Sequence, residues 1–210
     1  AGRRNLDFTY IVFNNGVYGL TKGQAAPTLA KGLKTKSMPE PSLQDGVNPI
    51  ALAVCAGYTF IARGYALDVR RLTVLIAEAI QHPGSAFIDV LQTCPTYNDL
   101  HTKEWYTQPD RLYQLSDAGY DGTVQDPSNP QEIVDKKIQA TAKSYEWGDR
   151  IPLGVYYRIK ASTLDEEMAA RRRDPDRSLV QTDLAKRDIE PLLEKQRVSV
   201  GKYERSMSVS

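Results

Sequence analysis

The chain has 210 residues, of which 27 are Lys or Arg and 26 are Asp or Glu, so its formal net charge is +1. Such a balance gives no overall field to attract nucleic acid or an anionic membrane. No apolar run approaches the roughly 20 residues that cross a bilayer, no secretory signal opens the sequence, and two cysteines are too few for a disulfide framework. We therefore expect a cytoplasmic protein that has neither nucleic acid nor a membrane as partner.

The first elements alternate between strand and helix patterns. Residues 8–13 (FTYIVF) form a nearly continuous apolar run, which is typical of a strand covered on both faces. Residues 14–45 are rich in glycine and proline and predict a long loop, which in a compact domain is usually functional or disordered. Residues 48–57 (NPIALAVCAG) predict a short buried helix, and residues 58–63 (YTFIAR) predict the next strand.

A second helix and a third strand follow. Asp68 is a candidate N-cap for this helix, which ends at Pro83-Gly84. Its apolar residues are predicted to share one face: Val69, Leu72, Ile76, Ala79 and Ile80. Residues 85–92 (SAFIDVLQ) predict a strand. This alternation of strands and helices predicts an α/β fold with a mostly parallel sheet and right-handed crossovers.

The sheet predicts where a ligand would bind. In open parallel sheets, ligands lie beyond the carboxyl ends of the strands. The loop at Asn14-Asn15 and the loop over residues 92–99 (QTCPTYND) both follow predicted strands. We therefore expect these two loops to open on one site.

The second half of the sequence is less regular. Residues 129–150 predict a helix, and residues 152–157 (PLGVYY) predict one more strand. Beyond about residue 160 the sequence is charged and poor in core residues. We expect one domain over residues 1–160 and a charged tail over residues 161–210 that packs on a partner subunit or stays mobile.

Two asparagines end the first predicted strand. A side-chain amide oxygen is a hard, neutral ligand suited to Mg²⁺, an ion that is normally shared with substrate phosphates. The side chain of Asn15 and the carbonyl of Val17 have a spacing that can supply two ligands on one side of such an ion. By itself an Asn-Asn-Gly sequence is more often an ordinary turn, since Asn tolerates the left-handed conformation and caps backbone groups. The two residues by themselves leave both interpretations open.

Residues 14–28 (NNGVYGLTKGQAAPT) resemble the second half of the thiamine diphosphate motif in the β subunit of 2-oxoacid:ferredoxin oxidoreductases. Residues 62–72 (ARGYALDVRRL) and 87–98 (FIDVLQTCPTYN) resemble further segments of that family in the same order, and the resemblance spans roughly residues 2–158. It implies a thiamine diphosphate-binding fold. It also implies an enzyme that decarboxylates a 2-oxoacid, of the pyruvate or 2-oxoglutarate type, to acyl-coenzyme A. Electrons would pass to ferredoxin, and the partner would be an α or fused γα subunit.

The resemblance also implies roles for individual residues. Asn15 and the carbonyl of Val17 would bind the Mg²⁺ that grips the diphosphate, and Gly19, Leu20 and Thr21 would lie against thiamine diphosphate. Leu20 would help to hold the cofactor in its bent form. Lys22 would reach toward the 2-oxoacid carboxylate or coenzyme A, although a solvated loop lysine is the plainer interpretation.

Two more residues gain roles from the same resemblance. Cys94 precedes Pro95, and it would be the last of four thiolates that hold a four-iron four-sulfur cluster; without the resemblance a structural cysteine is the better interpretation. Arg70 would help to bind the phosphates of coenzyme A, whereas arginines on an exposed helix side are usually only solvated.

Three other side chains receive ordinary interpretations. Cys55 is predicted to be a small buried hydrophobe. His82 ends a predicted helix, where a partial positive charge would suit the helix dipole. His101, in the loop after the third strand, is assigned no role.

The 210 residues lack part of the family pattern. The Gly-Asp-Gly half of the cofactor motif, whose aspartate would be the third protein ligand to Mg²⁺, is absent, and so are three cluster cysteines. The chain is therefore expected to be either the carboxyl-terminal two-thirds of a β subunit or a degenerate relative. Alone it is expected to bind neither cofactor nor cluster strongly. Two alternatives stay open: a non-redox thiamine diphosphate enzyme of the decarboxylase or acetolactate synthase type, and a non-catalytic structural subunit.

Overall fold

The computed structural model describes residues 1–171 together with residues 190, 191, 193 and 194. After a single 3-10 turn, Gly2–Arg4, the strands of residues 1–171 are β1 (Phe8–Asn14), β2 (Phe60–Tyr65), β3 (Ser85–Leu91), β4 (Leu112–Gln114) and β5 (Ile151–Arg158). The helices are α1 (Pro49–Ala56), α2 (Val69–Gln81), α3 (Lys103–Tyr106), α4 (Pro130–Ser144) and α5 (Leu164–Ala170). No helix among the described residues is both long and apolar enough to cross a membrane.

The five strands form one sheet in the order β1-β3-β2-β5-β4. β1 and β2 both pair in parallel with β3, and β4 pairs in parallel with β5, whereas β2 and β5 are antiparallel. The fold is thus α/β with a mostly parallel sheet, as predicted. The antiparallel pair arises because β4, α4 and β5 form a second strand–helix–strand unit that runs opposite to the first three strands.

Helices cover both faces of the sheet. α1 and α4 pack against each other and against one face, and α2 packs on the opposite face over β1, β2 and β3. Because successive side chains of a strand point to opposite faces, β2 contributes Ile61 to the core under α1 and α4, and Phe60 to the core under α2. The three strands and two helices predicted for residues 1–92 are all present, with bounds close to those predicted.

Helices α1 and α2 both have capped ends, at Asp68 and Gly57 as predicted and at Asn48 in addition. The Asn48 side chain accepts hydrogen bonds from the backbone N–H groups of Ile50 and Ala51 at the start of α1. Gly57 ends that helix with a φ of 80°, a backbone conformation that glycine adopts without steric cost. The Asp68 side chain accepts from the N–H of Arg71 and caps α2.

The predicted burial of β1 on both faces is wrong. β1 is the outermost strand, so its side chains are only partly covered: Tyr10 is 51% exposed and Phe13 is 61% exposed. On α2 the covered stripe is centred on Leu75 and Ala79. Val69 and Ile80 lie at the margin of that stripe and are mostly exposed.

Cys55 and His82 also differ from expectation. Cys55 is exposed, because it lies on the side of α1 opposite the buried residues. His82 is 9% exposed, and its Nε2 lies 2.9 Å from Thr59 Oγ1. Burial, followed by the charge of Arg158, lowers the pKa of His82. It therefore does not serve as a positive charge at the end of α2.

The compact unit continues past the predicted boundary at residue 160. Residues Ala1–Met168 form one unit and Ala169–Ser210 a second. The Asn5 side chain donates to the carbonyls of Ala161 and Ser162, so the chain beyond β5 is held against its own beginning. Most of the predicted tail, residues 161–210, lies outside the described residues, and its packing on a partner stays a prediction.

Candidate functional site

The two predicted site loops meet at the carboxyl ends of β1 and β3. These strands end side by side, with Asn14 opposite Leu91, and the N–H of Gln92 donates to the carbonyl of Asn14. Beyond the strand ends, Asn98 Nδ2 donates to the carbonyl of Asn15 over 2.8 Å. Asn98 is 1% exposed. A hydrogen bond from this buried side chain therefore joins the loop that follows β1 to the loop that follows β3.

Asn15 and Val17 lie next to each other at the base of the first loop. Asn15 Oδ1 accepts a hydrogen bond from the N–H of Val17 over 3.1 Å. Val17 forms an antiparallel bridge with Ala25, and hydrogen bonds flank it on both sides: Tyr18 N–H to the Gln24 carbonyl and Ala26 N–H to the Gly16 carbonyl. In a pair bonded this way, the carbonyl of the bridged residue points away from its partner. Asn15 thus forms a turn, and the turn holds its amide oxygen beside the backbone of Val17.

These two oxygens fit the first part of a magnesium site. An amide oxygen and a backbone carbonyl are neutral, hard ligands, and Mg²⁺ takes only a few protein ligands when substrate phosphates supply the rest. Among the described residues no group of three His, Cys, Asp or Glu side chains is placed to hold a metal ion. The described residues therefore offer a partial set of ligands.

The tip of the same loop projects into solvent. Leu20 is 99% exposed, and Gly19, Thr21 and Lys22 are exposed as well. The N–H of Lys22 donates to the carbonyl of Gly19, and Lys22 has a φ of 75°. Thr21 Oγ1 donates to the side chain of Gln24. The predicted cofactor and substrate residues are thus presented together on one turn.

Gly23 closes that turn against its neighbours. Its φ is +104°, and a Cβ built on it would lie 2.7 Å from Ser37 Oγ and 3.1 Å from Tyr97 Cβ. The carbonyl of Gly23 accepts a hydrogen bond from the buried hydroxyl of Thr35 over 2.6 Å. A side chain here would be strained by the positive φ and crowded by Ser37 and Tyr97, so glycine is favoured where the turn packs beside the loop that follows β3.

Cys94 lies in that second loop, three residues after β3. It is half-buried and forms an isolated bridge with Asn98, whose N–H donates to the Cys94 carbonyl. The same asparagine therefore ties Cys94 to the loop of Asn15. A cluster of four irons needs several thiolates, and within the described residues Cys94 is the single cysteine at this edge of the sheet.

A buried ion pair lies beneath the two loops. Arg63 Nε on β2 donates to Asp89 Oδ2 on β3 over 2.9 Å, and the two side chains are 2% and 0% exposed. Arg63 Nη1 also donates to the hydroxyl of Tyr156 on β5 over 3.0 Å. Burial lowers the pKa of Arg63, but the interactions with Tyr156 and Asp89 outweigh it, and the pKa rises above its ordinary value. The arginine therefore stays charged in the interior.

The sequence interpretation missed this pair. A signal was present, since Arg63 and Asp89 interrupt the apolar runs FIARGY and FIDVLQ with opposite charges. Buried charges are expected to be paired. Adjacent predicted strands that each carry one charge of opposite sign therefore indicate contact between them.

Arg70 lies apart from the other predicted site residues. It is exposed at the start of α2 and lines a cleft of about 520 Å³ between α2 and residues 114–123. No residue of the loops over 14–28 and 92–99 lines this cleft. A role of Arg70 with coenzyme A stays a prediction.

His101 follows the Cys94 loop and packs among aromatic rings. Its ring centroid lies 4.6 Å from that of Trp105 and 5.9 Å from that of Trp147. Burial and the nearby charge of Arg111 lower the pKa of His101. The neutral imidazole is therefore a packing partner for the indoles.

Two family models match successive parts of the chain. Residues 1–90 match the family described as thiamine pyrophosphate enzyme, C-terminal TPP binding domain. Residues 94–172 match the family described as the C terminal of the pyruvate ferredoxin oxidoreductase beta subunit. The fold is also similar to that of a solved 2-oxoglutarate:ferredoxin oxidoreductase from Magnetococcus marinus, with a TM-score of 0.68 and 24% identity over 92% of this chain and 59% of that chain.

Two curated relatives are similar at much higher identity. A 2-oxoacid:ferredoxin oxidoreductase subunit beta from Saccharolobus solfataricus is 56% identical over 173 residues, which are 81% of this chain and 55% of that protein. The 2-oxoacid:ferredoxin oxidoreductase 1, subunit beta, from Aeropyrum pernix is 55% identical over 172 residues, which are 81% of this chain and 52% of that protein. The chain spans about half the length of these relatives. Over residues 1–90 and 94–172, the chain is thus similar to the β subunits of 2-oxoacid:ferredoxin oxidoreductases.

Proposed function

We propose that this chain forms part of the thiamine diphosphate site of an enzyme that converts a 2-oxoacid and coenzyme A to acyl-coenzyme A and CO₂. The observation that carries the proposal is the hydrogen bond from Asn98 Nδ2 to the carbonyl of Asn15. It brings the two candidate magnesium ligands and Cys94 to one edge of the sheet. The names of the relatives supply the reaction class.

The first loop would hold the cofactor. Asn15 Oδ1 and the carbonyl of Val17 would bind Mg²⁺, which would anchor the diphosphate. Gly19, Leu20 and Thr21 would lie along the cofactor, since they are exposed on the turn that follows these ligands. When bound, thiamine diphosphate supplies a nucleophilic carbon and an electron sink for decarboxylation.

The surrounding residues would act on the substrates. The Lys22 ammonium, exposed on the same turn, would attract the 2-oxoacid carboxylate or coenzyme A. Arg70 would bind coenzyme A phosphates only if that ligand extends from the turn to the cleft beside α2. Loss of CO₂ leaves an electron pair, and its two electrons would pass one at a time through a four-iron four-sulfur cluster to ferredoxin. Cys94 would donate one thiolate to that cluster.

The complex would contain further protein. An α or fused γα subunit would complete the substrate pocket over the exposed turn, and the charged tail beyond residue 160 would pack on that partner as a heterodimer forms. The cytoplasmic location inferred from the composition stays a prediction.

An anaerobic assay of the native complex that contains this chain tests the proposal. Reduction of a viologen dye would be followed with pyruvate or 2-oxoglutarate, with and without coenzyme A. We expect reduction that depends on coenzyme A, and Asn15→Ala should lower the affinity for thiamine diphosphate in the presence of Mg²⁺. Release of CO₂ without dye reduction would indicate a non-redox thiamine enzyme. No turnover of either 2-oxoacid would favour a structural subunit.

The two cysteines provide a matched test of the cluster. Cys94→Ser should lower the iron and acid-labile sulfide content of the complex and abolish dye reduction. Cys55→Ser, an equal change at an exposed position on α1, should leave both unchanged. Equal iron content in the two variants would remove Cys94 from the cluster.

A further inference from the structure

The adjacent residues Asn14 and Asn15 use their carboxamides differently. Asn15 turns its oxygen toward the following backbone, at Val17. Asn14 instead makes two side-chain contacts: its Oδ1 accepts from Thr28 Oγ1 over 2.7 Å, and its Nδ2 donates to Asp89 Oδ1 over 3.1 Å. The first residue of the pair is therefore tied into the protein on both sides.

The two contacts of Asn14 fasten the loop at its base. Thr28 lies 14 residues further along the loop that begins after Asn14, so the hydrogen bond between them closes residues 14–28 into one segment of that loop. The bond to Asp89 joins that base to β3. Asn15 and Val17 lie inside the closed segment, directly next to the fastened residue, and their freedom to move is reduced accordingly.

Behind Asn14 the contacts continue across the sheet. Asp89 is held by Arg63 on β2, Arg63 by the hydroxyl of Tyr156 on β5, and that hydroxyl donates to the carbonyl of Pro152. The path thus crosses β1, β3, β2 and β5, which are consecutive strands of the sheet. Residues in such a row have little room to shift independently.

An amide suits this position better than a carboxylate. The side chain must donate to the buried carboxylate of Asp89 and accept from a hydroxyl, and an amide does both. A carboxylate at residue 14 would instead face a second carboxylate. A residue that only ended the strand would not need both a donor and an acceptor on its side chain.

We propose that Asn14 is the positioning residue of the candidate magnesium site: held between Thr28 and Asp89, it fixes Asn15 and Val17 in the arrangement that binds the ion. This inference rests on the proposed function. Asn14 itself touches neither metal nor cofactor in this assignment, and it acts through its neighbour.

The test compares two isosteric changes in the native complex. Thr28→Val deletes the donor to Asn14, whereas Thr9→Val deletes a hydroxyl on β1 that donates to the carbonyl of Ala79. Thiamine diphosphate binding would be measured by calorimetric titration at a series of Mg²⁺ concentrations, and the melting temperature would be measured without ligands. We expect Thr28→Val to raise the Kd about 3- to 10-fold at low Mg²⁺, the effect of one lost hydrogen bond.

The Mg²⁺ series separates positioning from general loss of structure. If Thr28→Val only displaces the magnesium ligands Asn15 and Val17, saturating Mg²⁺ should restore its affinity for thiamine diphosphate. Its melting temperature without ligands should match that of Thr9→Val. Equal Kd values for the two variants at every Mg²⁺ concentration would overturn the inference. So would a defect that added Mg²⁺ does not repair.

An exchange of side chains provides a second test. Asn14→Asp alone places two carboxylates together and should weaken Mg²⁺-dependent binding further. Adding Asp89→Asn restores a donor opposite the carboxylate at residue 14 while still accepting from Arg63, so the double variant should regain affinity relative to Asn14→Asp. Both proteins carry the same new charge at residue 14, so that charge cancels in the comparison, and the melting temperature without ligands reports the cost of removing the Asp89 charge from Arg63. Failure of the exchange to improve binding would contradict the assignment.

The wild-type titration distinguishes the two proposals. If the wild-type complex binds no thiamine diphosphate with Mg²⁺, the proposed function falls, and the role of Asn14 with it. If the wild type binds the cofactor but Thr28→Val behaves as Thr9→Val does, only the role of Asn14 falls.

Discussion

The carboxyl edge of the sheet combines a rigid base with an open turn. Arg63 and Asp89, below the edge, are 2% and 0% exposed, whereas Leu20, at the tip of the loop above them, is 99% exposed. Buried hydrogen bonds connect the base to its neighbouring strands, and the tip is held mainly by its own backbone. The difference indicates that the chain builds the support of the site by itself. The exposed tip of the loop has few contacts within the described residues, so a ligand or a partner would have to cover it.

The largest effect should come from breaking the base. Arg63→Met leaves the carboxylate of Asp89 buried without its charged partner, and we expect the free energy of unfolding to fall by about 3–5 kcal/mol. Urea denaturation would measure the change. Arg71→Met is the matched control, because Arg71 pairs with Asp68 on the surface at 3.6 Å with its side chain 61% exposed. There the loss should be about 0–1 kcal/mol. Similar losses in both variants would remove the distinction between base and surface.

A smaller effect is expected where the turn meets its support. Gly23→Ala forces a side chain into a backbone with a φ of +104° and within 2.7 Å of Ser37, which should cost about 1–3 kcal/mol. Gly19→Ala, in the same turn, meets nothing within 4 Å and should change stability by less than about 0.5 kcal/mol. Melting temperatures of the two variants would be compared. A larger loss at Gly19 would show that the contacts of Gly23 do not hold the turn.

Acid should weaken the interior near the start of β3, where His82 is buried. Burial and Arg158 lower the pKa of His82 below its ordinary value of 6.5, so the unfolded chain takes up a proton more readily than the folded one. The contribution of His82 to the free energy of unfolding is complete above pH 6.5, and it is lost as the pH falls from there through the folded-state pKa. His82→Gln should therefore reduce the drop in melting temperature between about pH 7.5 and about pH 5. His101, whose pKa is also lowered, should account for part of the remaining drop, and an unchanged drop in His82→Gln would contradict the assignment.

The smallest effect on stability should occur at the tip. Leu20→Ala removes an exposed side chain and should change the free energy of unfolding by less than about 0.5 kcal/mol. If Leu20 lies against thiamine diphosphate, the same change should raise the Kd of the cofactor in the complex roughly tenfold. Leu43→Ala, at another exposed loop residue that is 85% exposed, should alter neither quantity. Unchanged binding in Leu20→Ala would remove Leu20 from the cofactor surface.

The base and the tip also differ in how far the sequence predicts them. The caps at Asn48 and Asp68 and the meeting of the loops after β1 and β3 were predictable, because capping is local and parallel strands end at one edge. The ion pair between Arg63 and Asp89 was missed, since it depends on the register between β2 and β3, which place these residues opposite each other. The register depends on how two strands pair, so it cannot be predicted from the residues of either strand alone.

Short elements and strand directions were equally hard to predict. α3 has four residues and β4 has three, too few for a hydrophobic period to appear. The antiparallel direction of β5 depends on how β4, α4 and β5 dock as a unit. The exposure of Tyr10 and Phe13 likewise depends on the position of β1 in the sheet, which its own apolar run does not encode.

The outer position of β1 has a practical consequence. An edge strand presents unpaired N–H and C=O groups that can pair with any extended segment. β1 has seven residues, Phe8–Asn14, without charge, proline or glycine, and such segments are typical starting points of cross-β assembly. We therefore expect a preparation of this chain alone to aggregate through β1 as its concentration rises. A segment or partner that pairs with β1 would satisfy these backbone groups and so prevent aggregation through this edge.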